Sequence, residues 1–401
     1  MGFVTRTVVQ GMIIDNYNIS VIIICMSEPL RPQSLESFFQ SGQLPYAEQI
    51  HVSLQHSETP GNLERPVLNP EIVRGYIGEL SEQNASVQKG PYAFERRIIK
   101  GAEAQGMVHF WSTSNAGGRT NPSNLVDAAV YATVARMHGY DFAYWALPGN
   151  SGTTGMRQSE RSLYARTGSL LQETEEGLKP TGYAEAWAKL VASSTEGKVH
   201  LFGKGHGGIV ATAIGIALGD SKRVGTTLQI ERPGLVDVNG KKLIAAQAKD
   251  ELGAEHGVEY EPDDEYGPHR NAKLLEESLA PDFRRPIWHF VNSPTMLLAH
   301  MRAAKRGPHT GGFAERDLME FRRLHPNADM RFITSAGDVT SAVRQQQMKE
   351  VGSLLARIVA HGEGNGYVEY SAIPGSRKAL SQAPQVVAAL MASTLELADA
   401  A

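Results

Sequence analysis

The sequence predicts an α/β fold: a mostly parallel central sheet of about eight strands flanked by helices, with a helical insertion. Three observations carry this. From about residue 96, apolar β-branched or aromatic runs alternate with helical stretches of roughly ten to fifteen residues, the rhythm of strand–helix–strand units. Several of these strands end in glycine-rich turns that lead straight into apolar helices. The chain has 401 residues, 41% of them apolar, which is ample for a large core.

The elements follow in order. Thr7–Ile14 and Ser20–Ile24 are β-branched and read as strands. Pro29, Pro32, Pro45, Pro60 and Pro66 then interrupt a polar stretch, which predicts long loops. Asn69 caps a helix whose first turn holds Pro70 and whose apolar stripe is Ile72, Tyr76, Ile77 and Leu80. Strand 107–111 precedes the turn Ser112-Thr113-Ser114-Asn115-Ala116-Gly117-Gly118. Helix 122–138 carries Leu125, Ala128, Ala129, Ala132 and Ala135 on one side. Strand 141–147 ends in Pro148-Gly149, and helix 183–192 leads into strand 198–202. Helix 209–218 and strand 226–230 come next. Between 231 and 329 the strand signal fades into helices 241–252, 271–279, 294–306 and 314–324. Strand 330–334, helix 342–360, strand 367–373 and helix 385–397 resume the alternation.

Bulk properties exclude several classes. A formal net charge of -4 gives no global field to recruit nucleic acid or an anionic membrane. The single cysteine, Cys25, rules out a disulfide framework within one chain and a cysteine-type metal site; it reads as a small buried hydrophobe. The longest apolar run, 19–26, is far short of the roughly 18–20 residues that a spanning helix needs. It also lacks a cleavage site of small residues, so a soluble protein, cytoplasmic or part of a larger particle, is expected.

The most informative stretch is Val199-His200-Leu201-Phe202-Gly203-Lys204-Gly205-His206-Gly207-Gly208-Ile209. A strand, a tight glycine turn and an apolar helix follow one another there, as in a nucleophile elbow, which lifts a serine of G-x-S-x-G above a sheet. Three further motifs accompany it: Trp145-Ala146-Leu147-Pro148-Gly149, Thr334-Ser335-Ala336-Gly337-Asp338 and Ile373-Pro374-Gly375-Ser376-Arg377-Lys378. In this order and spacing the four resemble the α/β-hydrolase superfamily over residues of about 95 to 400. The resemblance implies that family's core over 96–231 and 329–401, a helical cap over 232–328, and a strand- and loop-rich region over 1–95.

The resemblance also implies where the chemistry would sit. In the family a serine attacks, a histidine accepts its proton and an acid orients the histidine. Here Gly205 stands at the serine position, Asp338 at the acid's, and Lys378 where the histidine would be. Glycine has no atom with which to form an acyl intermediate. A lysine, with a reference pKa of about 10.4, is a poor base unless strongly desolvated. The frame is therefore expected to be catalytically degenerate. Backbone N–H groups of His206 and of the 112–116 loop, with Ser114 and Asn115, would occupy the oxyanion region. Lys204 and His206 flank the elbow, so a small anionic ligand is conceivable.

Other readings compete. Gly203, Gly205 and Gly208 satisfy G-x-G-x-x-G, and Glu231 ends the next strand near the ~20-residue spacing of a ribose-binding acid. That would make the chain a dinucleotide-binding protein, although several strand–helix units precede the motif. An active, serine-independent hydrolase or lyase could use Asp338, His206 and Lys378. Ser151 and Ser335 are read as turn serines. The thirteen histidines contain no H-x-x-x-H, and Asp263-Asp264-Glu265 reads as a solvated loop, so no metal and no cofactor is expected. Trp111, Trp145 and Trp187 are expected in the core, and Trp288 in the cap. The favoured reading is a non-catalytic protein with a binding or assembly role, resembling non-enzymatic branches such as the N-myc downstream-regulated proteins, which carry glycine at the elbow. A protein partner or a homo-oligomer is expected, and a virion or surface component would fit.

Overall fold

The computed structural model describes residues 20–21, 50–54, 69–83, 85–112, 122–148, 156–232, 235, 313–335, 348–373, 391–392 and 394–395. The elements are β1 (Ser20–Val21), β2 (Ile50–Leu54), α1 (Pro70–Glu82), β3 (Ser86–Lys89), β4 (Tyr92–Ile99), β5 (Gly106–Ser112) and α2 (Pro122–Met137). Next come β6 (Tyr140–Ala146), α3 (Gln158–Thr167), β7 (Leu171–Thr174), β8 (Gly177–Pro180), α4 (Gly182–Ala192) and β9 (Lys198–Lys204). The series closes with α5 (His206–Ala217), β10 (Val224–Ile230), α6 (Phe313–Leu324), β11 (Asp329–Ser335), α7 (Met348–Ala360) and β12 (Val368–Ile373).

One ten-stranded sheet organises the molecule, in the order β1-β2-β12-β11-β10-β9-β5-β6-β4-β3. From β2 across to β6 every neighbouring pair is parallel. Strand β4 runs antiparallel to β6, and β3 to β4, while β1 is antiparallel to β2. A small β7–β8 hairpin stands apart from this sheet.

Side-chain alternation explains why parallel strands form here. Along β5, Met107 and Trp111 enter one core layer and Val108 and Phe110 the other. On β9, Val199 and Leu201 face the first layer and Phe202 the second. Strands that are apolar on both faces need helices on both faces. Residues of α4, α5, α6 and α7 fill the first layer; those of α1, α2 and the 391–395 segment fill the second. Each fully buried Leu or Phe side chain contributes about 1.5–3 kcal/mol, so the two layers are the main stabilising term.

Among the described residues from 106 onward, the expected strands and helices are present, with differences that have physical causes. Helix α5 starts at His206, three residues before the expected Ile209, because Gly205 turns the chain immediately into the helix. Helix α1 is capped as expected, Asn69 Oδ1 accepting from the Glu71 N–H at 2.9 Å. Its buried face is Val73, Ile77 and Leu80, whereas Ile72 is 46% exposed. Strand β2 (Ile50–Leu54) lies in the stretch expected to be long loops, where it pairs with β12, and α3, β3, β4, β7 and β8 were not foreseen; their burial is patchy or their strands short. The N-terminal region does not stand wholly apart: β3 and β4 extend the central sheet, and β2 pairs alongside β12. Helix α6, expected inside the cap, packs on α5 with Leu318 and Phe321 in the core. Residues 233–234 and 236–312 of the expected cap, Trp288 among them, and Thr7–Ile14 and Cys25 lie outside the described residues. Trp111, Trp145 and Trp187 are fully buried.

Candidate functional site

The elbow sits at the carboxyl end of β9, with β5 on one side and β10 on the other. Gly205 makes the turn at φ 57°, ψ −129°, a conformation that L side chains rarely adopt. Its N–H donates to the Ile230 carbonyl of β10 at 2.7 Å, and its own carbonyl accepts from the Gly208 N–H at 3.0 Å. The turn is thus tied to the neighbouring strand on one side and to the helix's first turn on the other.

The flanking glycines allow this close packing. A Cβ on Gly203 would lie 2.4 Å from the Gly207 carbonyl carbon, and one on Gly207 would lie 2.0 Å from the Trp111 carbonyl oxygen. Helix α5 is therefore pressed against both the end of its own strand and the end of β5. Gly208 has ordinary contacts, the nearest atom to its Cβ position being Gln229 Oε1 at 3.4 Å. Of the glycines of the dinucleotide-type motif, Gly203 is accounted for by backbone packing and Gly205 by its conformation. Glu231, the acid of that motif, does lie one strand over from Gly205, but it is 7% exposed.

The side chains beside the elbow are engaged within the fold. Lys204 follows Phe202 in the β9 alternation and so points beneath α2, where its Nζ donates to Asp127 Oδ2 at 2.7 Å. His206 is fully buried, its ring edge-on to Tyr164 of α3 with centroids 5.4 Å apart. Neither side chain presents an open anion-binding face. Ser114, Asn115, Ser151, Asp338 and Lys378 lie outside the described residues, as does every histidine of the expected cap other than His325. His361 is an exposed residue whose Nδ1 lies 2.8 Å from the Arg357 carbonyl of its own helix end. Among the described residues, no cluster of three or more His, Cys, Asp or Glu side chains could hold a metal ion.

Two further histidines lie inside the sheet. His109 Nδ1 accepts from Trp145 Nε1 at 3.0 Å, which places its proton on Nε2, 3.1 Å from Ser194 Oγ. Ser194 in turn donates to the Val191 carbonyl at 2.6 Å. Burial pushes His109 down to about 3, with Arg96 and His200 adding to the effect. A neutral imidazole with both nitrogens bonded, packed against Trp111 and Trp145 at 6.1 Å from each, is a packing element. His200, also driven to about 3 by burial, has neither ring nitrogen hydrogen-bonded and packs edge-on to Tyr140.

The polar cluster that the sequence did not signal surrounds Arg232, directly after β10. Its Nη2 bonds both carboxylate oxygens of Asp317 on α6, at 2.8 and 2.7 Å, with both side chains buried. Its Nη1 reaches the Gly208 carbonyl at 3.1 Å and Thr212 Oγ1 and Gln229 Oε1 at 2.7 Å each. Burial pushes Asp317 up to about 6, against the attraction of Arg232. The only local clue is a charged residue at the end of an apolar strand.

No family model matches the chain, and no curated protein matches it. Among solved structures it is similar to a bacterial membrane phospholipase A, at 13% identity and TM-score 0.47, over 82% of this chain and 90% of that one. A lipase in its open form is similar at 12% identity and TM-score 0.44, over 79% and 98%. The carboxylesterase CesB of Bacillus subtilis is similar at 11% identity and TM-score 0.40, over 81% and 96%. The architecture speaks for itself in the strand order β3-β4-β6-β5-β9-β10-β11-β12, antiparallel only at β3 and β4, with a left-handed glycine bend joining β9 to a buried helix. On that order and that bend, the chain has the α/β-hydrolase fold.

Proposed function

We propose that this chain is a non-catalytic protein of the α/β-hydrolase fold, serving as a binding or structural component with a protein partner or a second copy of itself. One observation carries the reading: the bend that would present a nucleophile holds Gly205, in nucleophile-elbow geometry but without a side chain. Acyl transfer by the family's route needs an oxygen at that apex to attack and a base to take its proton. The adjacent side chains do not substitute for it, since Lys204 is paired with Asp127 and His206 is buried against Tyr164. The burial of His206 also weighs against a rearranged site that uses it as a base.

The test is direct. The protein should show no labelling by a fluorophosphonate probe and no turnover of p-nitrophenyl esters; stoichiometric labelling at any residue would overturn the reading. Gly205→Ser combined with Lys378→His should give measurable esterase activity if the frame otherwise supports the chemistry. Sedimentation of the purified chain should show self-association or a co-purifying partner, and a clean, isolated monomer would count against an assembly role.

A further inference from the structure

Arg232 is placed at some energetic cost. Glu231, the residue before it, is the one non-glycine among the described residues with a positive φ, at 52°. A left-handed conformation costs a bulky L-residue on the order of 1–2 kcal/mol and persists where the surroundings over-determine it. Here they do: the Glu231 N–H donates to the Ile333 carbonyl of β11 at 2.7 Å, and Gln229 and Arg232 on either side are locked in the same buried cluster. The bend turns Arg232 back over the end of β10, where its guanidinium meets three elements at once. These are β10 itself through Gln229, the first two turns of α5 through Gly208 and Thr212, and α6 through Asp317. Two further bonds tie the cluster together: Thr212 Oγ1 donates to the Gly208 carbonyl at 2.9 Å and accepts from Gln229 Nε2 at 2.9 Å.

A buried, bidentate, multiply bonded ion pair is weak evidence of net stability, because desolvation offsets most of its attraction. Pulling one partner away strands the other charge in the interior, so separating α6 from Arg232 is costly. The neighbouring charges are used elsewhere: Arg357 of α7 meets Glu315, and Glu173 of the β7–β8 hairpin meets Arg316. We propose that Arg232 is a positioning residue that couples α6 to the elbow, so that a displacement of α6 is transmitted to the first turn of α5 through Asp317, Arg232 and Thr212. The Gly208 carbonyl lies one turn from the apex, so the link ends on the backbone that sets the bend.

Amide hydrogen exchange on the full chain tests this. Asp317→Asn should accelerate exchange at least tenfold in peptides covering 206–212 and in those covering 313–324, while β5 and β6 stay protected. Thr212→Val, which alters the opposite end, should accelerate exchange in α6, because coupling between two sites is reciprocal. A response confined to the altered element, or uniform loss of protection including β5 and β6, would overturn the coupling. Should Asp317→Asn not fold, the double variant Arg232→Met with Asp317→Leu replaces the pair by apolar packing. That variant is expected to fold and still exchange faster at 206–212; wild-type protection there would equally sink the proposal.

Discussion

Around the elbow, three glycines stand within six residues of one another for different reasons, and substitutions separate them. Gly205 is needed for its backbone conformation, Gly203 and Gly207 for the absence of a Cβ. Gly207→Ala drives a methyl to 2.0 Å from a strand carbonyl that cannot swing away, so it should cost at least the upper end of the roughly 1–3 kcal/mol typical of overpacking. Gly205→Ser puts an L side chain at φ 57°, ψ −129°, a strain of about 1–3 kcal/mol, and should fold. Urea midpoints of the two variants check the ranking; equal losses would show that the contact at Trp111 relaxes.

At the level of elements, the tie between β9 and α2 makes a second ranking. The Lys204 side chain is 11% exposed and that of Asp127 is 22% exposed. Asp127→Asn takes a carboxylate away from a largely buried ammonium, whereas Lys204→Met leaves a carboxylate that can turn toward water. The first should therefore be the more destabilising, by about 1–3 kcal/mol against under about 1 for the second, read from chemical denaturation. Helix α1 offers a simpler contrast. Leu80→Ala empties a fully buried site and should cost about 2–5 kcal/mol. Ile72→Ala, on the half-exposed side of the same helix, should stay within about 0.5 kcal/mol. The apolar pattern of α1 suggested a stripe led by Ile72; the structure moved it to Val73, because the stripe that counts is the one α2 covers.

For the whole molecule, pH dependence follows from groups that the core holds uncharged. His109 and His200 stay neutral in the folded protein down to about 3, whereas unfolded histidines protonate near 6.5. Between those values the unfolded chain binds more protons, so each histidine removes about 1.4 kcal/mol of stability per pH unit of acidification. His325, also lowered by burial, acts in the same direction. Asp317 acts the other way: held up at about 6 in the fold against 3.8 as its ordinary value, it favours the folded state as pH falls between the two. The histidines outnumber it, so stability should fall from pH 6.5 to 4.5. His200→Phe should flatten that slope by about one proton, measured as urea unfolding free energy at several pH values; an unchanged slope would place the His200 titration elsewhere.

Local sequence carried the alternation of β5, α2, β6, α4, β9, α5 and β10 and the glycine bend at Gly205, because periodicity and a residue without a side chain are local facts. It did not reveal α3, the β7–β8 hairpin or the patchy edge strands β3 and β4, whose burial depends on what other elements bring to them. Nor could it say that Lys204 would be spent on Asp127, that His206 would face Tyr164, or that Arg232 would find Asp317 across 85 residues of chain. Those pairings arise only once the chain has folded. A charge's partner is set by which chain segments meet in space, and burial turns a weak surface attraction into one that must be satisfied.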